Sequence, residues 1–85
     1  MLFRRRETPA AEYPTRASVF IRLPKGDGTT EEFEYTGRVV REVNGWLVLA
    51  DVTLVAGGRL KENLHIDGEQ WLRRETIVHL QGLTR

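Results

Sequence analysis

The chain has no cysteine. That excludes disulfides, thiolate metal sites and a cysteine nucleophile, and it says little about compartment. Lysine is nearly absent too: the basic residues are almost all Arg, with Lys only at Lys25 and Lys61. Arg is the better fork for phosphate and the better stacking cation, although a GC-rich coding sequence explains the same bias. Neither sign of charge dominates. Thirteen basic against twelve acidic residues give a net charge of +1, which excludes a strongly basic nucleic-acid coat but not a local patch. No apolar run approaches the length of a membrane span. Met1 to Arg6 carries charge with no apolar stretch behind it, so no secretory signal is expected and the expected address is the cytoplasm. Helical periodicity is missing from everything but the first residues. Gly26-Asp27-Gly28 is not followed by a helix, so the spacing does not make a phosphate loop.

What is present is β pattern. Phe33 to Val43 and Trp46 to Val55 are strand-like runs joined at Asn44-Gly45, and Asn-Gly between such runs is the strongest short-range hairpin signal. Gly37 lies within the first of these runs, where a glycine marks a bulge or a sharp bend. Phe33, Tyr35, Gly37, Val39, Arg41 and Val43 fall on one face. The second run is apolar on both faces from Trp46 to Ala50 and reads as a strand covered on both sides.

The other strands are placed around this hairpin. Ala17, Val19, Ile21 and Leu23 alternate with Ser18, Phe20 and Arg22 to make a strand before it. Residues 24–30 form a polar turn. After the turn Ala56-Gly57-Gly58-Arg59, Leu60 to Ile66 alternates as a fourth strand, interrupted at Asp67-Gly68, with Trp71-Leu72 resuming the apolar character. Arg73-Arg74-Glu75 is a charged break. Thr76 to Leu83 is the last strand, with Ile77, His79 and Gln81 opposite Thr76, Val78 and Leu80. Residues 1–16 read as an arm, with Thr8 capping and Pro9 opening a short helix that Pro14 stops.

Eighty-five residues with 40% hydrophobic and 29% charged content suit one small globular domain rather than disorder. The expected fold is all-β: a five-stranded antiparallel SH3-like barrel over 17–85, with the bend at Gly37 and room for a short N-terminal helix. An OB-type barrel is disfavoured because 56–59 leaves no room for its helix.

Two segments carry a family resemblance. Gly37 to Thr53, with a central Gly, a tight Asn44-Gly45 loop, Trp46 and a hydrophobic strand, resembles the first motif of the Sm/LSm (Sm-like, Hfq-related) family. Leu72 to Leu80 resembles the second, with Arg73 at the motif Arg. The resemblance covers about Ser18 to Leu83. It implies a homo- or hetero-oligomeric ring made by strand pairing between subunits. It also implies single-stranded, often uridine-rich, RNA held near the pore by base stacking and Arg. The residues it points to are Asn44, Trp46, Arg73 and Arg74. Two positions depart from the motifs: the Asn that follows the stacking residue is missing, and the Gly after the motif Arg is Arg74.

Each of these residues has a plainer explanation. Asn44 suits the turn, Trp46 and Trp71 suit a core or interface anchor, and Arg73 and Arg74 suit a guarded strand edge or a pair with Glu75. Enzyme chemistry finds less support. His65 and Asp67 are two apart on a strand, but no third ligand and no nucleophile pattern joins them. No cofactor is expected. Two functions follow as expectations: a ring that binds single-stranded RNA, or a β-barrel assembly module without a specific RNA site.

Overall fold

A computed structural model describes residues 7–9 and 13–83. They form one antiparallel sheet. Its strands are β1 (Glu7–Pro9), β2 (Arg16–Pro24), β3 (Thr30–Val43), β4 (Trp46–Leu54), β5 (Leu64–Ile66), β6 (Gln70–Arg73) and β7 (Ile77–Leu83). The main path runs β5-β4-β3-β2-β7, with β1 on β3 and β6 on β4. The all-β expectation holds. The sheet is open: among the described residues no ladder joins β7 to β5 or β6. No helix among them is long and apolar enough to cross a membrane.

The β3–β4 hairpin is the frame. Asn44 and Gly45 both take positive φ, 47° and 85°, the pair of left-handed residues that a two-residue turn between twisted strands requires. Farther down, the ladder slips twice. Opposite Gly37, β4 carries an extra residue, because Thr36 pairs with Thr53 and Arg38 with Ala50. Asp51, beside this slip, sits at φ 53°. A Cβ on Gly37 would lie 3.0 Å from the Ala50 carbonyl oxygen and 3.2 Å from Val52 Cγ2. The expected bend is therefore real, and it is shared between Gly37 and the bulged β4. At the second slip Val40 is the extra residue, since Val39 pairs with Leu49 and Arg41 with Val48.

One inserted residue turns every following side chain to the other face. The face expected to run from Phe33 to Val43 is thus split. Phe33, Tyr35 and Val39 pack with the core. Arg41 and Val43 face the other way, opposite Val48 and Trp46, and Glu42 turns inward opposite Leu47. β7 behaves alike. Val78 is extra between His79, paired with Phe20, and Ile77, paired with Ile21, so Ile77 and Leu80 both reach the core instead of lying on opposite faces. The core itself is Ala17, Val19, Ile21, Val39, Leu47, Leu49, Val52 and Leu72. Leu23, expected on this face, is exposed, and Ser18, expected outside, is buried with its hydroxyl donating to Glu34.

Three expectations need correction. Thr8-Pro9 does not open a helix: Glu7, Thr8 and Pro9 pair with Val43, Glu42 and Arg41. β2 reaches only to Arg38, which leaves backbone groups of 41–43 open to a partner, and a two-turn helix would be too short to hold by itself. The rest of the arm, residues 1–6 and 10–12, lies outside the described residues. The fourth strand is two strands, β5 on Val52–Leu54 and β6 on Trp46–Leu49, separated by the positive-φ Gly68. The charged break is the end of β6 and a single 3-10 turn, Arg74–Thr76.

Candidate functional site

The β4–β6 ladder builds the site. It sets Trp46 opposite Arg73, Leu47 opposite Leu72, and Val48 opposite Trp71. The Arg74 amide then donates to the Gly45 carbonyl at 2.8 Å. The Asn44-Gly45 turn and the Arg73-Arg74 segment, far apart in sequence, therefore meet at one end of the sheet. All four residues expected in the site gather there.

They do not face the same way. Arg73 is the last residue of β6 and Arg74 the first of the 3-10 turn, and their side chains part there. Arg73 lies over Trp46 with Cζ 5.6 Å from the ring centroid, and its Nη2 donates to Glu75 at 3.1 Å. Arg74 turns to the inner side, where Nη1 donates to Glu42 Oε2 at 2.6 Å. Tyr13 Oη donates to the other oxygen of Glu42, also at 2.6 Å. Glu42 is buried, and its hydrogen bond holds the Arg74 guanidinium above the usual arginine range. Arg74 is thus engaged with a buried carboxylate, whereas Trp46 and Arg73 present themselves on the outer face. A half-open cavity of about 330 Å³ lies beside Arg74, walled by Tyr13, Leu47, Ile77 and Leu80.

Sequence reasoning missed two residues of the outer face. Trp71 packs against Trp46, with ring centroids 6.4 Å apart and planes tilted by 59°. Arg41 lies over Trp71 with Cζ 5.6 Å from the ring centroid. Its two terminal nitrogens donate to the two oxygens of Glu69, each at 3.2 Å, and Trp71 Nε1 donates to Glu69 at 3.3 Å. The Arg41 hydrogen bonds, then that of Trp71, hold the Glu69 carboxyl below the usual glutamate range. No sequence signal pointed to Arg41, because the slip at Val40 decides which face it takes. Trp71 was visible as an anchor, but its register against Val48 was not, since no tight turn connects β4 to β6.

Charge in this region is balanced. Arg38, Arg41, Arg73 and Arg74 each meet a carboxylate, from Asp51, Glu69, Glu75 and Glu42. The pairs on the outer face, Arg41 with Glu69 and Arg73 with Glu75, are solvent-accessible, and such pairs contribute little to stability. Glu7 pairs with Val43 at this same end. Elsewhere His65 Nε2 stands 3.5 Å from Asp67 Oδ1, and His79 packs on Phe20 with ring centroids 5.5 Å apart. Among the described residues no three His, Asp or Glu side chains gather as a metal site. No family model, no curated protein and no solved structure matches this chain, and its chemistry is read from these side chains.

Proposed function

We propose that the chain is an Sm-like, SH3-like barrel subunit that assembles into a ring and holds single-stranded RNA at its Asn44-Gly45 end. One observation carries this reading: the β4–β6 ladder puts Arg73 over Trp46 beside the hairpin turn, although the two come from distant segments. A base that enters between them gains an aromatic face and a cation, while its phosphate takes the place of Glu75. Stacking of this kind is worth roughly 1–3 kcal/mol per base. The buried Leu47 stands where a base-edge amide would be needed, so the expected binding is tolerant of sequence, with little preference for uridine.

The strand order supports the barrel, because three hairpin-linked strands are followed by a last strand that returns beside the first. β7 supports the ring. Among the described residues it pairs only with β2, and it holds no Asp, Glu, Lys, Arg or Pro, so apart from the bulge at Val78 it lacks the usual guards of a free edge. The partner in this reading is a second copy, pairing β5 or β6 against β7. The expected compartment is the cytoplasm.

Assembly without RNA is the second reading, favoured by the carboxylate that meets each Arg. Light scattering and fluorescence anisotropy with a labelled uridine hexanucleotide, at low and moderate salt, separate the two. The RNA reading expects a ring-sized particle whose affinity falls with salt and drops by about tenfold or more in Trp46→Leu and Arg73→Ala. A ring indifferent to RNA leaves only assembly. A monomer, unaltered by Val78→Lys, removes the ring.

A further inference from the structure

The outer face carries the same arrangement twice. Trp46 has Arg73 at 5.6 Å, and Arg73 donates to Glu75 at 3.1 Å. Trp71 has Arg41 at 5.6 Å, and Arg41 donates to Glu69 at 3.2 Å. The two units adjoin, because the Trp rings lie 6.4 Å apart. We propose that Trp71 and Arg41 form a second base-stacking position, so that one subunit takes two neighbouring nucleotides of a single strand along the outer face of β4 and β6. The proposal rests on the RNA reading of Trp46 and Arg73 and adds a site beyond it.

Packing accounts for one side of Trp71. Its cross-strand neighbour Val48 is fully buried without belonging to the main core, so the outer side chains roof it. Yet Trp71 remains 40% exposed. A roof over one valine needs an apolar side chain and does not need a cation aligned on the ring. Arg41 is held in that alignment by a bidentate carboxylate, and guanidinium on indole is the pairing that grips a base and its phosphate together. Pairing of β6 with another copy would leave this surface open, because strand side chains stand perpendicular to the sheet while pairing takes place in its plane.

The test uses the full chain and a labelled uridine hexanucleotide, with thermal melts alongside to confirm folding. Trp71→Leu keeps an apolar roof over Val48 and removes the stacking face. It should bind about tenfold more weakly than the unaltered chain, and Trp71→Phe should recover most of the loss. Arg41→Gln should flatten the slope of log affinity against log salt by about 0.7, one phosphate contact on a single strand. If Trp71→Leu binds like the unaltered chain while Trp46→Leu is weakened, the second position is wrong and the first stands. If neither substitution changes affinity, the RNA reading itself fails. If Trp71→Leu changes particle size but not RNA affinity, the ring belongs to a protein interface and the proposal is overturned.

Discussion

The two faces of β4 are equally dry and differently made. Leu47 and Leu49 on the inner face and Val48 on the outer face are all at or below 2% exposure. The inner pair is enclosed by aliphatic side chains from β2, β3 and β6, with Phe33 and Tyr35 packed at the margin. Val48 lies between Arg41 and Trp71 across the two ladders, with Trp46 two positions before it on the same face. Close packing of this kind fixes the core. A roof of indoles and guanidinium groups excludes water too, but it keeps π faces and cations at the surface. The strand read as covered on both sides has one side closed within the core and one side roofed by indoles and guanidinium groups.

The largest effect should come from the inner face. Leu49→Ala deletes a fully buried side chain in the core, and urea unfolding should show a loss of about 2–5 kcal/mol. A loss below 1 kcal/mol would mean that the inner face does not dominate stability. Next comes the bend that allows the two faces to be built differently. In Gly37→Ala the new methyl meets a backbone carbonyl oxygen at 3.0 Å, and the expected destabilisation is about 1–3 kcal/mol, the usual range for overpacking. A neutral result would show that the bulge at Asp51 relaxes freely.

Smaller again is Val48→Ala on the outer face. Two buried carbons at about 0.8 kcal/mol each give roughly 1.5 kcal/mol. A cost equal to that of Leu49→Ala would erase the contrast between the faces. The smallest effect is electrostatic. Glu69 has its carboxyl pKa depressed by Arg41 and then by Trp71. A depressed carboxylate contributes stability that is present above its unfolded-state value and is lost as pH falls through the folded value. With Trp46→Leu leaving Trp71 as the one indole, tryptophan fluorescence should therefore hold steady down through the ordinary glutamate value of about 4.3 and change only below it. A change centred at or above that value would show that Arg41 does not hold Glu69.

Much of this was legible in the sequence for local reasons. The hairpin turn follows from Asn44-Gly45, the bend from Gly37 and the doubly covered strand from Trp46 to Ala50. Each depends on residues within a few positions of one another. Asn44, Trp46, Arg73 and Arg74 were singled out and do gather at one end. The split between Arg73 and Arg74 was not legible, because 73–75 read as a charged break and it is the end of β6 at Arg73, followed by the 3-10 turn, that parts the two side chains. The short helix at Thr8-Pro9 failed because an open stretch of β3 backbone outweighed weak local capping.

By itself the sequence determined the all-β class, the central hairpin and the residues with chemical character, because turn geometry and period-two patterning act over short range. Only the tertiary structure decided which faces they share. The slip at Val40 sends Arg41 outward and Glu42 inward, and the register of β6 places Trp71 on Val48 and Arg73 on Trp46. A slip of one residue costs the sequence pattern almost nothing and reverses every side chain beyond it. The pairing of strands that no tight turn connects is settled only when the whole sheet closes on its core.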